Sequence, residues 1–172
     1  MTAVRILGLD PGSLHTGYGL VEKSGSALTA LQAGRFSCPR GMELPQRLAW
    51  LAERTVQLAA EFQPDLAVLE TPFHGMNSRS LIVLAQARGA LLAVLAGRNI
   101  EIREYSPAEI KSAVTGNGRA DKDQVARMVR LLLALDPRQS WAADATDALA
   151  VALCCAQRLK IDRLRDGLRT SK

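Results

Sequence analysis

Aromatic side chains are scarce here: three Phe, two Tyr and two Trp in 172 residues. A core in this chain must therefore be built from Leu, Val, Ile and Ala. Histidine is scarcer still, with only His15 and His74, each standing alone in an expected loop. Surface hydrogen bonding accounts for both. The three cysteines, Cys38, Cys154 and Cys155, form no metal-binding or redox spacing. An odd, unpatterned set excludes a disulfide scaffold and suits a reducing cytosol. The adjacent pair lies in an Ala/Leu-rich helical stretch and reads as core filling. No apolar run reaches the length expected of a membrane span. No G-x-x-x-x-G-K-[ST] phosphate loop is present, since Thr115-Gly116-Asn117-Gly118-Arg119 does not fit it. Internal repeats and low-complexity tracts are missing too. A strand beginning within a few residues of Met1 leaves no room for a signal peptide. The expectation is a cytoplasmic protein with no membrane partner.

What is present is a globular composition, 48% hydrophobic and 23% charged, in a chain long enough for one domain. Lys and Arg number 22 against 17 acids, a net charge of +5. A basic balance suits a polyanionic partner.

Short apolar runs alternate with amphipathic stretches. Residues 4–10 read as a strand, followed by a Pro11-Gly12 turn. Residues 17–21 and 27–36 complete a meander. Leu44 to Phe62 repeats leucines at helical spacing, with Pro45 in its first turn. Residues 66–70 form a second buried strand, so the helix between is a parallel crossover. Residues 78–96 form a helix apolar nearly all round, which places it in a core or at a subunit interface. A strand over 100–105 follows. Ser106-Pro107-Ala108-Glu109 opens a further helix with a capping box. Asp121 caps another that runs to about Leu135. The last helix starts near Trp141, and the basic tail from about 160 is expected to fray. The predicted class is α/β: a mixed five-stranded sheet, antiparallel meander plus parallel strands, flanked by helices. The expected domain is residues 1–158, with a tail over 159–172.

Carboxylates punctuate this pattern. Asp10 ends the first strand and Glu70 ends the strand after the crossover. If the two strands are parallel neighbours, both acids leave the sheet at one edge, where open sheets place their chemistry. Asp144 and Asp147 lie three apart and share a helix face. Each has a plain alternative: Asp10 as a turn cap, Glu70 as a rim charge, Asp144 as a helix N-terminal acid, Asp147 as a half-exposed helix residue. Together they form a set of hard oxygen ligands at a site poor in His and Cys, which favours Mg²⁺ or Mn²⁺. Two such ions suit in-line attack on a phosphodiester.

The segments Ile6-Leu7-Gly8-Leu9-Asp10-Pro11-Gly12-Ser13 and Thr16-Gly17-Tyr18-Gly19 resemble the opening of the RuvC family of Holliday junction resolvases. The likeness continues through Phe62-Gln63-Pro64-Asp65 to Glu70, then Phe73, Asn77 and Gln86-Ala87-Arg88-Gly89. It extends through Lys111, Gly116, Lys122, Gln124, Val125 and Met128-Val129-Arg130 to Ala143-Asp144-Ala145 and Asp147-Ala148-Leu149-Ala150. The resemblance spans residues 4 to 158 in order. It implies an RNase H-like fold and a homodimeric endonuclease that cuts four-way DNA junctions by paired nicks during recombination and repair. Asp10, Glu70, Asp144 and Asp147 match the family's catalytic, metal-binding acids, which hold two Mg²⁺ ions, with Mn²⁺ able to substitute. Lys111 and Lys122 match its basic residues near the cut phosphate. Phe73 matches an aromatic that stacks on a base at the crossover. The family's RuvA-RuvB branch-migration complex is the implied partner. Pro72, His74 and Gly75 lie where the family varies, and both late acids are Asp where some relatives carry His. Asn77, Arg79 and Arg119 are further DNA-contact candidates, as is His74.

Three other readings remain open on the residues alone. One is a nucleotide-binding protein of the actin-like fold, for which the chain is short. Another is a DNA-binding module without activity, which would gain nothing from acids facing phosphates. The third is an RNase H-like nuclease acting on another nucleic acid.

Overall fold

The computed structural model describes residues 3–71, 77–136, 138 and 141–170, apart from the side chains of Arg163 and of residues 165–170. Phe73, with Pro72, His74 and Gly75, lies outside the described residues. The sheet has the order β3-β2-β1-β4-β5. Its strands are β1 (Val4–Asp10), β2 (His15–Ser24), β3 (Ala27–Ser37), β4 (Leu66–Glu70) and β5 (Glu101–Tyr105). The first three pair antiparallel, while β4 pairs parallel with both β1 and β5. This is the mixed sheet the sequence predicts.

Both faces of the sheet are buried. Ile6, Val21, Leu66 and Val68 pack on one side, and Leu7, Leu9, Leu20, Ala67 and Leu69 on the other. Alternate strand residues point to opposite faces, so continuous apolar runs need helices on each. One layer is α1 (Leu44–Phe62) and α2 (Ser78–Gly97). The other is α3 (Pro107–Thr115), α4 (Lys122–Leu132) and α5 (Ala143–Thr170). The capping box at Ser106 and the cap at Asp121 form as predicted, and Gln124 completes a box at the second.

Close approach decides where α5 sits. A Cβ on Gly8 would lie 2.1 Å from the Ala148 carbonyl oxygen, and one on Gly17 would lie 2.0 Å from that of Asp144. These glycines let the helix backbone rest directly on β1 and β2.

Two expectations are corrected. The backbone of α5 stays helical to Thr170, through the segment expected to fray. Its far half is anchored: buried Asp162 accepts a 2.5 Å hydrogen bond from the Tyr105 hydroxyl, and Arg103 lies 3.7 Å from the same carboxylate. The second correction concerns α2, which is long and apolar enough by length and composition to cross a membrane. It packs against α1 and β5, and Leu91 and Leu95 are fully buried.

Candidate active site

The parallel register that pairs Leu9 with Leu69 brings Asp10 and Glu70 out side by side at one edge of the sheet. The first turns of α5 lie above that edge because Gly17 admits them. Asp10, Glu70 and Asp147 line a cleft of about 140 Å³ with Lys111 from α3 and Lys122 from α4. Asp144 stands beside the cleft, one turn before Asp147.

The electrostatics are those of crowded like charges. Burial pushes the Asp10 carboxyl up to about 7, with Asp147, Glu70 and Asp144 adding to the rise and Lys122 opposing it. Glu70 is raised for the same reasons, burial first and then Asp147, against the pull of Lys122, Lys111 and Arg88. Lys122 is held above its usual value mainly by Asp147, whose Oδ2 lies 3.2 Å from its Nζ.

Among the described residues no three Asp, Glu, His or Cys side chains close into a metal cage as placed. Two of the four acids are engaged by cations instead: Asp147 by Lys122, and Asp144 by Arg35 Nη1 at 3.3 Å. The donor set nevertheless fits a divalent ion. All four groups are hard oxygens, and a cation between them would offset both the burial and the mutual repulsion that raise the Asp10 carboxyl.

Sequence reasoning gave no role to two residues at this edge. Arg88 is buried in α2, where its guanidinium donates to the Glu70 carbonyl and pairs with Glu104, tying α2 to the ends of β4 and β5. Arg35 reaches Asp144 from β3 across 109 residues of chain. A strand position near this edge is the only local signal for it. Of the other candidates, Asn77 is the N-cap of α2, accepting from the Ser80 amide at 2.9 Å. Arg79 and Arg119 are exposed and do not line the acidic cleft.

A mixed sheet of this order with helices on both faces is the RNase H-like fold. The family described as Crossover junction endodeoxyribonuclease RuvC matches residues 6–155, and the chain belongs to that family. The RuvC of Bordetella pertussis is 41% identical over 165 residues, covering 94% of this chain and 90% of that one. The RuvC of Alkalilimnicola ehrlichii is 47% identical over 150 residues, covering 87% and 89%. Among solved structures, Thermus thermophilus RuvC in complex with Holliday junction substrate superposes with a TM-score of 0.86 at 26% identity, covering 92% of this chain and 96% of that one.

Proposed function

We propose that this protein resolves four-way DNA junctions by metal-dependent hydrolysis of two strands of like polarity. The observation that carries the reading is the acidic cleft flanked by Lys111 and Lys122, on a fold matched to a junction-bound relative. Asp10, Glu70, Asp144 and Asp147 would hold two Mg²⁺ ions, with Mn²⁺ able to substitute. When bound, the ions supply Lewis-acid stabilisation at the phosphate and a more acidic attacking water. The chain's own residues position the strand. Lys111 and Lys122 meet phosphates, and Phe73, on the segment between β4 and α2, stacks on a base and fixes the cut position. The test is a synthetic four-way junction with Mg²⁺, compared with plain duplex and an RNA–DNA hybrid. Symmetric nicks on the junction alone are expected. Preferential cutting of the hybrid overturns the reading.

Phosphate contacts lose strength with salt, whereas stacking responds little. Lys122→Ala therefore weakens junction binding and flattens its salt slope by about one unit. Phe73→Ala leaves that slope unchanged and slows single-turnover nicking by about tenfold or more, because misplacing the phosphate is costly. Normal nicking by Phe73→Ala, with a changed salt slope, rules out stacking.

Two symmetric cuts call for two sites related by a two-fold axis, so the working form is a homodimer. Support comes from the solvent side of α2, where Ile82, Ala85, Gly89, Ala93 and Ala96 are exposed along one uncharged stripe. Light scattering at micromolar concentration, without DNA, is expected to report twice the chain mass, and a monomer there counts against the dimer. On the same reading the protein is cytoplasmic and works with a RuvA-RuvB complex.

A further inference from the structure

The two acids of α5 are met by cations from opposite sides. Lys122 on α4 engages Asp147, and Arg35 on β3 engages Asp144. The second pair is set up by the backbone. Arg35 stands opposite Gly17 in the β2–β3 register, and Gly17 lacks the side chain that would drive Asp144 away. Asp144 thus settles over β2, within reach of the neighbouring strand. The arginine is exposed, and an exposed pair of this kind adds little to stability. Its surroundings point to a polyanion. From Arg35 to Met42 the rim carries Arg35 and the exposed Arg40 and no acid. That rim is joined to the acids by the Arg35–Asp144 pair, whereas Lys111 and Lys122 line the cleft itself.

We propose that Arg35 is a DNA-phosphate contact held in reserve by Asp144. Arg35 gives up the carboxylate when metal binds and turns to the strand on the β3 rim, where its guanidinium can bond phosphate oxygens in pairs. The inference rests on the junction-nuclease reading for its DNA half only. Because Arg35 and the metal compete for one carboxylate, Arg35 weakens metal binding in the absence of DNA. With metal bound, it adds one phosphate contact.

The experiment uses full-length Arg35→Ala, Arg35→Gln and Arg35→Lys. With Mn²⁺ alone, free-ion EPR is expected to show about fivefold tighter binding for the Ala and Gln variants. With a four-way junction in Ca²⁺ across a salt series, both are expected to lose about one unit of salt slope, while Arg35→Lys keeps it. Mn²⁺ binding that is unchanged or weaker in Arg35→Ala and Arg35→Gln overturns the proposal, because Arg35 then does not compete for Asp144. An unchanged salt slope overturns it as well. Wild-type protein that fails to bind the junction refutes the functional reading, while the Mn²⁺ measurement still decides the competition by itself.

Discussion

Asp10→Asn is expected to bind a four-way junction as well as the wild type and to nick it about 10³-fold more slowly or worse. Asp10 belongs to the acid cluster at the end of β1 and not to the basic set. On the function proposed above, removing its charge takes away a metal ligand, and a metal supplies several kcal/mol of transition-state stabilisation. The same change removes a negative charge facing phosphates, so binding holds or improves. Gel-shift affinity in Ca²⁺ and single-turnover nicking in Mg²⁺ measure the two quantities. A variant that nicks at near wild-type rate would sink the metal role of Asp10.

The meeting of these acids at one sheet edge was legible because the signal is local. An apolar run ending in Asp10-Pro11-Gly12 locates the strand end, and a second run ending in Glu70 locates its neighbour. Asp144 and Asp147 declare a shared face by their spacing alone. The caps at Ser106 and Asp121 are equally local. What escaped the sequence was set by distant pairing. Arg35 finds Asp144, Arg88 finds the Glu70 carbonyl, and Tyr105 finds Asp162 only after the sheet has assembled. The last of these anchors the α5 segment whose basic composition by itself suggests fraying. Asn77, read from the sequence only as a DNA-contact candidate, is the N-cap of α2.

The second large effect is on stability. The Asp10 carboxyl is raised from 3.8 to about 7 in the folded protein. A carboxyl raised on folding contributes stability that is complete below its unfolded value and is lost as pH rises through the folded one. Without divalent ions, the wild type should therefore lose stability between about pH 4 and pH 7. Glu70 shifts in the same direction and adds to the loss. The raised Lys122 acts in a different window, losing its contribution only above its usual value of 10.5. Asp10→Asn lacks the Asp10 contribution, so it becomes the more stable protein as pH rises, by about 2 kcal/mol at pH 8 after allowing for coupling among the acids. Urea denaturation of both proteins in EDTA from pH 4 to pH 8 measures the gap. Adding Mg²⁺ should close it by stabilising the wild type. A gap that stays constant across the series would show that Asp10 titrates normally.

The seat of α5 on Gly8 and Gly17 acts as a gauge for the chemistry. A single methyl on either glycine would have to lift the helix, and Asp144 and Asp147 would rise with it, while Asp10 and Glu70 stayed on their strands. The spacing between the two pairs of acids is thus set by the thickness of a backbone contact, with no side chain available to adjust it. On the metal reading proposed above, substitutions at these two positions would register first as lost metal discrimination, because a smaller and a larger ion tolerate different separations. A residue that reads as packing in any alignment of folds would then be a determinant of which cation the enzyme accepts.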